Sequence, residues 1–310
     1  MFRQVHHMGI VVDDLERAKN VLGKAWGLTV NRDRTPGDQG VLDPTMNARM
    51  LEFPLGQAFV RVFKPLDDAG PMGRFLKERP GGGGFHVSLI TDTPEYDVSR
   101  LLNKGIKFWL PPNKKDWDGR SPVYLDPATT GGVVVQVWPD DGYVVSAQYR
   151  GEGVFSKLHH CGLAARTADE AVAFWVNSVG CSVDSRRAPL PNGRRTGRDF
   201  DPDIPASDPV QLFDFPVGQT EIEISVPLDG RSGTGRFVER FSSTQPFAIH
   251  HICPYADDVE RACARLNESG MQQIGALPER RPGNPRVGWY HPRSILGVLM
   301  EIWHDVPFDV

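Results

Sequence analysis

The sequence predicts an α+β fold of two tandem domains, each a pair of βαβββ modules. Three observations predict it. Four short apolar runs carry histidine at one matching place: VHHMGIVV from Val5, GFHVSLIT from Gly84, LHHCGLAA from Leu158 and IHHICPYA from Ile249. Each run leads into a stretch of helical spacing that ends near a glycine, followed by two or three alternating strands. A longer period then groups the four units in pairs. FPLGQAFVRVFKPLDD from Phe53 returns as FPVGQTEIEISVPLDG from Phe215, an offset of 162 residues, and GRFLKER from Gly73 returns as GRFVERF from Gly235 at the same offset. DPATTGGVVVQVW from Asp126 likewise matches HPRSILGVLMEIW from His291.

Taken in chain order, each element has its own signal. The helices are expected in DDLERAKNVLGKAWGL from Asp13, TPEYDVSRLLNKGI from Thr93, TADEAVAFWVNSVGC from Thr167 and ADDVERACARLNESG from Ala256. Asp13, Thr93, Thr167 and Asp257 stand where a side-chain oxygen caps a helix N-terminus. Leu15, Ala18, Val21 and Leu22 line one helical face, as do Val172, Phe174, Trp175 and Val179. Gly27, Gly105, Gly180 and Gly270 supply the positive-φ exits. The domains are expected at residues 1–148 and 153–310, joined through the polar YRGEG from Tyr149.

Composition narrows the function classes. Apolar residues make up 40% and charged residues 24% of the 310 positions, as in a soluble globular protein with ample core material. A formal charge of −4 gives no reason to expect nucleic acid or an anionic membrane as partner. The sequence shows no leader and no long apolar run, so a cytoplasmic protein is expected. Cys161, Cys181, Cys253 and Cys263 form no CxxC pair, which disfavours a zinc ribbon or a disulfide framework.

The single-histidine run settles which histidine of each pair matters. His86 aligns with the second member, so His7, His86, His160 and His251 share one strand face, and His6, His159 and His250 face the other way. The repeat then supplies further donors. The final strands GVVVQVW and GVLMEIW set Gln136 opposite Glu301, and FVRVF and EIEIS set Arg61 opposite Glu223. The second domain thus collects His160, Glu223, His251 and Glu301, a donor set suited to one divalent ion among Mn, Fe, Co, Ni and Zn. The first offers His7, Arg61, His86 and Gln136, where a guanidinium would repel the ion. Metal is therefore expected in the second domain alone.

The fourfold pattern, with donors on the first and last strands of paired modules, resembles the vicinal oxygen chelate superfamily over essentially the whole chain. That group includes glyoxalase I, methylmalonyl-CoA epimerase, extradiol dioxygenases and resistance proteins. The resemblance implies curved mixed sheets enclosing a cavity. HHMGIVVDDLERA, GDQGV from Gly37, GGGGFHVSLITD and YLDPATTGGVVVQV follow the order of the epimerase, and the second-domain set resembles the ligand set of bacterial glyoxalase I. The epimerase's catalytic glutamate before QGV is Asp38 here, and the second domain has no clear QGV counterpart.

The resemblance implies a metal-dependent lyase or isomerase that chelates neighbouring oxygens of a small-molecule substrate and stabilises an enolate. Glu301 or Glu223 would alternate between ligand and base, and Tyr290 and His291, just before the final strand, are candidate substrate contacts. The runner-up is an extradiol-type Fe(II) ring-cleaving dioxygenase using His160, His251 and Glu301, with Glu223 as an unneeded fourth donor. A non-catalytic ligand-sequestering resistance protein is the third reading. Such proteins leave room for a homodimer. Arg186, Arg187, Arg194, Arg195 and Arg198 read as a charged surface loop, and PGGGG from Pro80 lacks the lysine and following helix of a phosphate loop.

Overall fold

The computed structural model describes residues 2–111, 114–149, 153–183, 194–196, 209–241, 247–277, 279 and 286–303. The described residues form two eight-stranded sheets of mixed direction, one per half of the sequence. The first sheet comprises β1 (Gln4–Val11), β2 (Val41–Asp43), β3 (Ala48–Leu55), β4 (Ala58–Pro65), β5 (Gly83–Thr91), β6 (Phe108–Leu110), β7 (Val123–Leu125) and β8 (Val134–Pro139). Its spatial order is β2-β3-β4-β1-β5-β8-β7-β6. The second holds β9 (Lys157–Ala165), β10 (Arg194–Thr196), β11 (Val210–Val217), β12 (Thr220–Pro227), β13 (Phe247–Tyr255), β14 (Gln273–Ile274), β15 (Val287–Tyr290) and β16 (Leu299–Trp303). Its order, β10-β11-β12-β9-β13-β16-β15-β14, repeats the first strand for strand. The histidine strands therefore lie side by side at the centre of each curved sheet, each flanked by the last strand of its own module. The tandem α+β fold is as the repeat predicts.

Among the described residues six α-helices accompany the sheets: α1 (Leu15–Ala18), α2 (Pro71–Glu78), α3 (Pro94–Asn103), α4 (Ala168–Val172), α5 (Gly233–Phe241) and α6 (Val259–Glu268). α1 and α4 each run on as wider π turns, over Lys19–Ala25 and Ala173–Val179. Their apolar faces are buried as the spacing predicts, with Leu15, Ala18, Val21 and Leu22 in the first and Phe174, Trp175 and Val179 in the other. Two caps fall one residue later than expected: Asp14 accepts from the Glu16 backbone N–H and Asp258 from that of Arg261. Gly27, Gly105, Gly180 and Gly270 all have φ between +78° and +86°, the left-handed exit that a Cβ would strain. Among the described residues, no helix is long and apolar enough to cross a membrane.

The packing of Cα atoms divides the chain into two compact units. One consists of Met1–His6, His86–Asp141 and His160–His250. Within it, Arg100 of α3 donates to Ser178 O and Val179 O, both at 2.7 Å, at the open end of the α4 π turn. The other consists of His7–Phe85, Gly142–His159 and His251–Val310. There Arg265 of α6 donates to Ala25 O at 2.9 Å and Lys24 O at 3.0 Å, the same service to the α1 π turn.

Candidate metal and proton-transfer site

Strand register decides which side chains meet. In the second sheet Glu221 pairs with His160 and Glu223 with Gly162 in the parallel β9–β12 ladder. His160 and Glu223 consequently project from one face. His251 pairs with Leu299 in the parallel β13–β16 ladder, which puts Glu301 on the face of His251. The four donor atoms of His160, Glu223, His251 and Glu301 all lie within 4.8 Å of one another, and all four residues are buried. Glu301 Oε2 is 3.1 Å from His251 Nε2, and Glu223 Oε2 is 3.9 Å from His160 Nε2. Trp289, paired with Glu301 across β15–β16, meets the His251 ring edge-on at 5.6 Å and walls the group on that side.

Two buried imidazoles facing two buried carboxylates are what a divalent ion of borderline character requires. The donors fit such an ion without rearrangement of strands. Two carboxylates so close in low dielectric would otherwise repel, and positive charge between them removes that cost.

The first sheet treats the same positions differently. Arg61 pairs with Glu52 across β3–β4, and its Nε donates to Glu52 Oε2 at 2.6 Å. Glu52, fully buried, also accepts from Asn31 Nδ2 at 2.7 Å, and Arg34 Nη1 stands 3.8 Å away. Burial lowers the Arg34 pKa, and its guanidinium lies 4.3 Å over the Tyr143 ring. Gln136 pairs with Ser88 and Tyr124, and Tyr124 packs edge-on against His86. Where the second sheet offers carboxylates, the first has an internal ion pair and a neutral amide. Asp38 is exposed and bound to Arg32 at 2.8 Å.

Several expectations need adjustment. His6, His159 and His250 do not face outward to solvent as expected; each is buried against an aromatic ring, with His6 stacked on Trp138 at 4.3 Å, His159 on Trp303 at 5.5 Å and His250 edge-on to Phe237 at 4.7 Å. Tyr290 pairs with Met300 rather than Glu301, which turns it to the opposite face. Its hydroxyl contacts Cys263 O at 3.1 Å and Asn267 Oδ1 at 3.0 Å, and burial raises its pKa. His291 caps the short 3-10 turn Pro292–Ser294, its Nδ1 accepting from Arg293 N at 3.2 Å. Neither joins the donor group. Arg186, Arg187 and Arg198 lie outside the described residues, and Arg194 and Arg195 belong to β10.

Glu52 and Trp289 are the site-defining residues that pattern reading passed over. Both were visible in principle: Glu52 interrupts the apolar run MLEFPL, and Trp289 alternates with Tyr290 on the strand next to the one that carries Glu301.

Paired βαβββ modules with donors converging on one face of the second sheet make up the tandem vicinal-oxygen-chelate fold. The chain belongs to the Glyoxalase/Bleomycin resistance protein/Dioxygenase superfamily, whose model matches residues 6–124 and 159–287. Mitochondrial methylmalonyl-CoA epimerase of Bos taurus is 28% identical over 138 residues, covering 43% of this chain and 73% of the relative. The ethylmalonyl-CoA/methylmalonyl-CoA epimerase of Cereibacter sphaeroides is 24% identical over 156 residues, covering 48% of this chain and 98% of the relative. Among solved structures, a mutant of 4-hydroxymandelate synthase from Streptomyces coelicolor superposes with a TM-score of 0.69 at 11% identity, covering 98% of this chain and 93% of that one. At that identity the likeness shows the two-domain fold alone.

Proposed function

We propose that the chain is a metal-dependent isomerase or lyase of the glyoxalase and epimerase kind, acting on a small molecule with neighbouring oxygens. Residues 153–310 form the metal-bearing domain and residues 1–148 its metal-free counterpart. One observation carries the reading: two histidines and two carboxylates, all buried, within 4.8 Å of one another. His160, Glu223, His251 and Glu301 would hold one divalent ion among Mn, Fe, Co, Ni and Zn. The ion's contribution is to polarise a substrate carbonyl and stabilise the negative charge left by proton loss.

The remaining work falls to the chain. Glu301, aligned by His251 at 3.1 Å, is one carboxylate placed to exchange ligation for proton transfer, and Glu223 is the other. The C–H bond beside the carbonyl breaks, its electrons move into the enolate, and the proton is held on a carboxylate oxygen. Return of that proton to the carbon completes an isomerisation. Burial of both carboxylates keeps competing water away. Tyr290 and His291 are assigned no role in this step, because one faces away and the other caps a turn. The epimerase relatives support the reading, although each spans under half of this chain.

The test is proton exchange in heavy water. A substrate with an acidic C–H beside a carbonyl should take up deuterium in a metal-dependent, oxygen-independent manner, and Glu223→Ala should slow the exchange by about 10²-fold or more. Ring cleavage of a catechol with oxygen consumption, undiminished in Glu223→Ala, would instead establish the dioxygenase reading.

A further inference from the structure

A second donor group overlaps the first. Nitrogens of His159 and His160 and the Cys253 sulfur lie within 4.8 Å of one another, and all three residues are buried. Cys253 is fully buried, and its thiol donates weakly to Pro254 O at 3.7 Å. The thiol stands two residues beyond His251. His159 is fixed by the Tyr255 and Trp303 rings stacked on it, at 6.3 and 5.5 Å. The corresponding place in the first domain, two residues beyond His86, is Ser88, which offers no sulfur.

We propose that His159, His160 and Cys253 form a second metal site, selective for a thiophilic divalent ion such as cadmium, which competes with the carboxylate set for His160. The argument is one of donor chemistry. Thiolate and imidazole favour soft and borderline ions, whereas a set half composed of carboxylates accepts manganese or iron. Around a tetrahedral zinc-sized ion such donors stand about 3.5 Å apart, within the 4.8 Å that already encloses the three. As the metal–sulfur bond forms, the thiol proton passes to solvent. Because His160 belongs to both sets, filling one empties the other. Each chain therefore holds a hard or a soft ion, never both.

Sulfur-to-metal charge transfer in the near ultraviolet reads this site directly, without any activity assay. Titration of the metal-free full-length protein with cadmium should raise such a band to one equivalent. The band should vanish in Cys253→Ser, a change the first domain shows to be accommodated by carrying Ser88 at that place. It should persist in Glu301→Gln, which disables the carboxylate set. No band in the wild type, a band surviving Cys253→Ser, or a band lost in Glu301→Gln would each overturn the proposal. Manganese occupancy of the wild-type and Glu301→Gln proteins tests the catalytic reading separately.

Discussion

Two pairs of counterpart positions separate the candidate donor group of the second sheet from the matching positions of the first. Glu301 and Gln136 are counterparts, as are Glu223 and Arg61. Glu301→Gln, which installs the first domain's residue, should remove most of the bound metal by elemental analysis. Gln136→Glu alone should create no site, because the guanidinium of Arg61 remains on that face with Glu52 as its partner. Removing that partner is costly in its own right. Glu52→Gln would leave Arg61 buried beside an uncharged amide, and chemical denaturation should show a loss of about 3–5 kcal/mol. Strand alternation and repetition made the grouping of His160, Glu223, His251 and Glu301 legible in the sequence. The same alternation could not show that His6, His159 and His250 lie under aromatic rings. Facing away from a site is a local property, whereas burial depends on what packs there from elsewhere in the chain.

At the scale of elements, the two halves share devices as well as strands. The turns before α2 and α5 are closed by Asp67, which accepts from the Ala69 and Gly70 backbone N–H groups, and by Asp229, which accepts from those of Arg231 and Ser232. The backbone donors of Gly70 and Ser232 hold the two carboxyls below the ordinary aspartate range. A depressed folded-state pKa contributes stability at pH above the unfolded value near ~3.9, and that contribution disappears as pH falls through the folded value. The double variant Asp67→Asn, Asp229→Asn should accordingly lose stability less steeply below about pH 4 than the wild type, followed by circular dichroism. The π turns after α1 and α4 carry no periodic signal that could have announced them. Their carbonyls are met by Arg265 and Arg100 from distant helices, and such tertiary capping is invisible to local patterns. Arg100→Leu should cost about 1–2 kcal/mol in a denaturation midpoint analysis, since it strands two partly buried carbonyl oxygens.

For the whole molecule, the prediction is one ion per chain rather than two, measurable by elemental analysis after loading with excess manganese and desalting. The fold itself was the most legible property. A 162-residue offset can be reproduced only by a duplicated backbone, and four histidine runs within it fix the module. β10 was not legible, because arginine and proline dominate its surroundings and its strand state rests on pairing Arg194–Thr196 with Val210–Leu212. Cys181 reads as a bland thiol in sequence, yet burial pushes its pKa up to about 12. Alkylating reagents at neutral pH should leave it unmodified in the folded chain.

The donor set is spread along the second half of the chain in a way that bears on how the protein is made. His160 stands on the first strand of the second sheet and Glu301 on the last, separated by 141 positions. A ribosome delivers the histidine long before the final carboxylate, so a nascent chain owns an imidazole without a cage. Closure of the candidate donor group must wait until β16 has slotted beside β13. Assembly of the full donor group is thereby tied to synthesis of the last strand of this sheet.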